Sequence, residues 1–276
     1  MCKEIAGDIK VILQGDGGDE LFAGYRRYAL INNHRMLKLM ATIIPSNLMS
    51  KFQNSSIGRI KRILDIFSCG DWGTSMGKFL TTDTNQNSFY NLISDDYKNA
   101  ISTTDPYLEY KKLAQYFSKY DKVNQMLFTD LKLILANTFL EKVDKSTMAM
   151  GIESRVPFLD NRLTDYILSL PSSLKVRSNE KKYILKKSLR GVVPDFVLNS
   201  PKMGFGVPYA NWLSGPLKGY LKDALFGNNL HQTGTFDMSL LKKKYDSFQQ
   251  NHNQHDAYIL WKTMNYSIWV SKYNVS

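Results

Sequence analysis

Hydrophobic and polar positions follow a helical period along almost the whole chain, with one exception near the start. Ile9-Lys10-Val11-Ile12-Leu13 is a short run of β-forming residues, ended at once by Gly15-Asp16-Gly17-Gly18. Helical spacing sets in from Asp19 or Glu20 and runs through Leu21, Phe22, Tyr25, Tyr28, Leu30 and Ile31. The pattern predicts a buried strand, a tight loop and a helix. That is the unit from which parallel α/β sheets are assembled.

Nearly everything downstream reads as helix. Ile57, Ile60, Ile63, Leu64 and Phe67 lie on one stripe. Helices are expected from Pro106 to Lys119 and from Asp121 to Ala136. Another, capped by Asp160 or Asn161, ends before Pro171. The segment Lys181 to Leu189 is expected to be helical and closed by Gly191 and Pro194. Two more helices cover about Asp237 to Gln250 and Asp256 to Tyr273, and a Gly/Pro-punctuated loop spans Ser200 to Pro208. No internal repeat or low-complexity segment is present. A parallel strand buried on both faces needs neighbours. Either the chain is all-helical in substance, or the neighbouring strands lie outside it. The tract Lys3 to Asp8 reads as the tail of a helix leading into the strand. The expectation is therefore truncation upstream, with Met1 an internal methionine of a longer chain.

Composition narrows the class without choosing a function. The 276 residues are 43% hydrophobic, enough to build a core in one large domain or two small ones. The cysteines, Cys2 and Cys69, cannot form a disulfide framework or a clustered zinc site. Met1 to Lys10 lacks the apolar region of a secretory signal, and no stretch approaches the roughly 18 uninterrupted apolar residues of a membrane span. A cytoplasmic protein without a membrane partner is expected. The net charge of +11 is spread over short groups such as Arg26-Arg27, Lys186-Lys187 and Lys242-Lys243-Lys244. With no nucleic-acid-binding pattern, a solvated basic surface is the better reading, and no nucleic-acid partner is expected.

Three stretches could carry chemistry. The first is Gln14-Gly15-Asp16-Gly17-Gly18-Asp19-Glu20, at the strand's C-terminal end, where open α/β sheets bind ligands. Successive glycines let backbone N–H groups approach an anion. Asp16 and Asp19 would repel a bare phosphate, but suit one that arrives with magnesium. It is neither a Walker A loop nor a Rossmann fingerprint. The competing reading is a helix N-terminus whose acids complement the macrodipole. The second stretch joins Asp144-Lys145-Ser146-Thr147-Met148 to Glu153-Ser154-Arg155-Val156-Pro157-Phe158-Leu159-Asp160. Here Arg155 offers a fork to a carboxylate or phosphate, or pairs with Glu153 and Asp160 to fix a loop. The third contains Lys181-Lys182-Tyr183 and, further on, Lys202-Met203-Gly204-Phe205-Gly206. A lysine there either offsets charge on a transferring phosphoryl group or is simply solvated. His252 and His255 could meet on a helix, but have no third metal ligand nearby and read as solvent-exposed. Trp261, Tyr266, Trp269 and Tyr273 fit helix packing better than base stacking.

In this order and spacing the three stretches resemble the synthetase domain of glutamine-hydrolysing asparagine synthetases. Val11 to Tyr25, Asp144 to Asp160 and Lys181 to Pro208 carry the match. β-Lactam synthetases and enzymes that amidate surface polysaccharides resemble the same domain. The resemblance implies a pyrophosphatase-loop α/β domain seen without its first strands, followed by a mostly helical region. It implies ATP and Mg2+ as cofactors. A carboxylate, aspartate or one on a sugar, is adenylated, and glutamine-derived ammonia then gives the amide. By the same resemblance Asp19 is the metal ligand, and Gln14 and Gly15 contact the nucleotide through backbone. Asp16 takes a proton from the attacking amine, and Lys182 stabilises charge on the phosphates. Asp144, Glu153, Arg155 and Lys202 are weaker substrate or phosphate candidates.

The departures matter too. Gln14 replaces a serine or asparagine, and Asp16 is one methylene shorter than the glutamate of many members. The family's Ser-Gly-Gly-x-Asp-Ser pyrophosphate loop, with its second metal carboxylate, is absent, as is the glutaminase domain. Met1-Cys2 imitates the glutaminase start only superficially. One N-terminally truncated synthetase-type domain over 1–276 is thus expected, with the missing segment as its partner and a homodimer compatible with it. Little or no synthetase activity is expected of this chain alone. A non-catalytic helical interaction protein derived from such a domain is the rival reading.

Overall fold

A computed structural model describes residues 2–44, 56–81, 89–200 and 206–273. The chain is mostly helical and divides into two compact units. The first comprises Met1–Leu80 and Tyr107–Pro201, the second Thr81–Pro106 and Lys202–Ser276.

In the first unit the expected strand forms as β1, Val11–Leu13. It is not alone: it pairs in parallel with β2, Glu153–Arg155, in the register Val11 opposite Glu153 and Leu13 opposite Arg155. The neighbour is therefore partly within the chain, in a stretch whose charged residues read as a loop. Nor is β1 buried. Val11 is 39% and Leu13 72% exposed, because among the described residues nothing covers that side of the pair. A second, antiparallel pair joins β3, Val176–Arg177, to β4, Glu180–Lys181.

The helix expected from Asp19 through Ile31 is broken in two, Gly18–Phe22 and Arg26–Asn32. Ala23 takes left-handed backbone, φ 57°, at the break. The apolar spacing continues across it although the two sides of the break pack into different clusters, Leu21 and Phe22 in one and Ala23, Tyr28 and Ile31 in another. The helix starting after Asp121 is longer than its pattern suggests. Lys122–Thr129 is α-helical, Asp130–Leu140 is a π-helix and Glu141–Met148 is α-helical again. Asp121 caps its start, accepting from the N–H groups of Val123 at 3.0 Å and Asn124 at 3.1 Å. Of the two candidate caps at 160–161, Asp160 is the one used, for helix Asn161–Ser169. The helix expected from Lys181 begins later, at Tyr183, because Lys181 lies in β4 and Lys182 is left-handed, φ 55°.

The second unit has its own core, in which Leu213, Leu221, Leu225, Leu241, Phe248 and Leu260 are fully buried. Its long helices, Met238–Asn251 and Gln254–Tyr273, match the expected ones, with Asp237 capping the first. His252 sits between them in left-handed backbone, so His252 and His255 do not share a helix. Tyr266 packs edge-on to Phe236 at 5.5 Å, as a packing role requires, whereas Trp269 and Tyr273 are exposed. No described helix is long and apolar enough to cross a membrane.

Candidate active site

The Gly-rich loop leaves β1 at its C-terminal end and turns straight into helix Gly18–Phe22. The amide of Gln14 donates to the carbonyl of Arg155 at 3.0 Å, so the parallel pairing carries on to the loop's first residue. Gly17 has φ 84°, a conformation that favours glycine. Space is a second constraint. A Cβ on Gly17 would lie 2.5 Å from Leu159 Cδ2, and one on Gly18 would lie 3.2 Å from Phe158 Cε2. The turn Pro157–Leu159, which follows β2, therefore packs directly on the glycines. Phe158 also meets Phe22 edge-on at 5.8 Å.

Lys182 reaches the same place from a distant part of the sequence. Its ammonium lies 2.8 Å from Asp19 Oδ1, and its amide donates to the carbonyl of Phe22 at 3.0 Å. Both side chains keep partial solvent access, 32% for Lys182 and 21% for Asp19, so a ligand can reach the pair. Gly24 lets the pair close: a Cβ there would fall 1.7 Å from Asp19 Oδ1 and 2.5 Å from Lys182 Cε. Gln14 and Asp16 are half-buried and Gly15 is exposed.

The other candidates are less closely gathered. Glu153 and Arg155 project from β2 as an exposed ion pair, Arg155 Nε to Glu153 Oε1 at 2.7 Å. Their hydrogen bond holds the Glu153 carboxyl below its ordinary range. Asp160 does not join them. It caps its helix and pairs with Arg162 at 3.3 Å, because the cap turns its carboxylate toward the following residues. Asp144 is exposed on helix Glu141–Met148. Lys202 lies outside the described residues.

Behind the loop lies a buried polar network that sequence reasoning did not single out. Glu20, 2% exposed, accepts from the Tyr25 hydroxyl. Asp130 is fully buried and its Oδ2 accepts from Arg27 Nη2 at 2.7 Å, from Arg27 Nε at 3.1 Å and from the Tyr28 hydroxyl. Burial raises the Asp130 carboxyl despite these donors. Burial also disfavours the charged form of Arg27, but Asp130 outweighs it and holds the guanidinium above its usual range. The guanidinium stacks 4.1 Å from the centre of the Tyr25 ring. Asp130 opens the π-helical segment, a distortion that recurs at functional sites. The sequence marks it only as an acid that closely follows the apolar residues Met126, Leu127 and Phe128.

Residues 1–271 match a family model described as asparagine synthase. A glutamine-hydrolysing asparagine synthetase 1 of Bacillus subtilis is 27% identical, over 98% of this chain and 42% of its own length. A putative glutamine-hydrolysing asparagine synthetase of Mycobacterium bovis is 28% identical, over 98% of this chain and 40% of its own length. An amidase, chyE, of Penicillium rubens is 26% identical, over 84% of this chain and 37% of its own length. The chain thus spans about two fifths of the length of the curated relatives it matches. No solved structure matches it.

Proposed function

The chain belongs to the asparagine synthase family, and we propose that, within a longer cytoplasmic enzyme, it forms an amide from a carboxylate activated by ATP. Aspartate is the proposed carboxylate and glutamine the proposed source of ammonia, following the names of the two synthetases it resembles. The fold proposed for the whole domain is a pyrophosphatase-loop α/β sheet, to which β1 and β2 belong. The observation that carries the reading is the meeting of Asp19 and Lys182, 2.8 Å apart, at the loop that follows a parallel strand.

The donor set suits magnesium as a shared ion rather than a caged one. Among the described residues no three acidic, His or Cys side chains cluster to hold a metal, and Mg2+ is commonly held by one or two carboxylates plus phosphate oxygens and water. Asp19 would be the carboxylate that this chain supplies. When bound, the ion would neutralise charge on the phosphates of ATP. Lys182, released from Asp19, offers a cation to the same phosphates, where charge stabilisation is often the largest catalytic term. The backbone of Gln14 and Gly15 orients the nucleotide at the strand end. Asp16 accepts the proton lost when ammonia attacks the acyl-adenylate, a role worth about 10²–10⁴-fold in rate.

Aspartate-dependent ATP–pyrophosphate exchange tests the reading. In the longer enzyme, Asp19→Asn and Lys182→Ala should each abolish exchange, and the chain 1–276 alone should show little. Exchange that survives both substitutions would refute the assignment.

A further inference from the structure

The first unit holds a second cleft, of about 620 Å³, that shares no residue with the Asp19–Lys182 site. Helix His34–Ile43, the bend at 69–71 and Lys122 form its walls. Its lining is strongly basic, with His34, Arg35, Lys38 and Lys122 together. Among the described residues no carboxylate pairs with Arg35, Lys38 or Lys122. The acid in the lining, Asp71, is already committed: it accepts from the Thr74 amide at 2.8 Å and hydroxyl at 2.7 Å, and Lys111 lies 3.9 Å away.

The cations affect one another. Burial, and then neighbouring Lys38, hold the Lys122 ammonium below its usual range. Burial, then Arg35 and Lys122, lower the His34 imidazole, against the opposing bond to the Ile31 carbonyl and the Asp121 carboxylate. In place of a carboxylate, Lys122 has the Trp72 ring 5.2 Å away. Trp72 also lines the cleft, and its buried indole N–H has no acceptor among the described residues. Buried donors are rarely left unpaired. The cleft thus gathers Arg35, Lys38 and Lys122, none of them in an ion pair with a described carboxylate, beside an apolar wall of Leu39 and Phe67.

We propose that this cleft is a second binding site, for a small molecule bearing a phosphate or diphosphate group. The guanidinium of Arg35 supplies a fork and the two lysines supply point charges, which together match phosphate oxygens. The apolar wall suits the organic remainder of such a ligand. The inference does not rest on the proposed synthetase activity.

The test titrates pyrophosphate, at constant ionic strength, into the full chain and into its Lys182→Ala variant, which removes the cation beside Asp19. Calorimetry should show binding in both, and pyrophosphate should slow alkylation of Cys69, which lines the cleft, but not of Cys2. Lys38→Ala, a change at an exposed residue, and Lys122→Gln should each weaken binding about tenfold or more. Three results would overturn the proposal: no binding, binding lost in Lys182→Ala but retained in Lys38→Ala and Lys122→Gln, or binding to anionic lipid vesicles without binding to pyrophosphate.

Discussion

Asp130 offers the sharpest test of what holds the first unit together. Replacing it with Ala leaves the Arg27 guanidinium and the buried Tyr28 hydroxyl without their shared acceptor. Breaking a buried pair in this way costs about 3–5 kcal/mol, chiefly because a charge is left buried. Arg27 retains 16% of its side-chain exposure and the face of Tyr25, so the lower end, about 3 kcal/mol, applies. The double variant Arg27→Met, Asp130→Leu removes charge and counter-charge together and should retain only the cost of the unpaired Tyr28 hydroxyl, about 1–3 kcal/mol. Urea unfolding followed by hydrogen exchange in helix Lys122–Thr129 reads this unit specifically. Single variants that each cost less than 1 kcal/mol, or a double variant equal to the sum of the singles, would refute the account of a coupled buried pair.

Three further substitutions test the first unit. Lys175 is fully buried, donates to Asn124 Oδ1 at 2.7 Å, and is lowered by burial from its usual 10.5 to about 8. Its folded value is below its unfolded one, so the unfolded chain holds more protons between them and stability rises with pH from about 8 toward 10. Lys175→Met should remove up to about 3 kcal/mol of that rise; urea midpoints at the two ends of the window check it, and an unchanged rise refutes it. Gly24→Ala puts a methyl group where Asp19 and Lys182 meet and should cost about 2 kcal/mol, whereas Gly7→Ala, with nothing within 4 Å of the new Cβ, should be close to neutral in thermal unfolding.

The parts of the site legible in the sequence are those with local signals. The change from strand to glycine to helical period announced β1 and its loop, and Asp160 was one of two cap candidates that the pattern offered. What stayed hidden depends on partners far along the chain. Glu153-Ser154-Arg155 has no strand pattern of its own, and only the register with Val11 to Leu13 makes it β2. Asp130 is an acid in a helix, and what makes it buried and paired lies 103 positions away, at Arg27. Lys182 was found through family resemblance. The helical pattern beginning at Lys181 concealed the left-handed residue from which its side chain reaches Asp19.

The glycines carry a further lesson about such signals. Read along the chain, Gly17 and Gly18 make room for an anion to approach the backbone. In three dimensions, Leu159 and Phe158 already occupy the space where their Cβ atoms would be. Those two side chains are held there by the turn that β2 leads into. The same glycines are therefore demanded by the parallel pairing as well as by any ligand. A substitution at Gly17 that abolished activity would not by itself prove phosphate contact, whereas one at Gly15, with nothing within 4 Å of its Cβ, would report on the ligand alone.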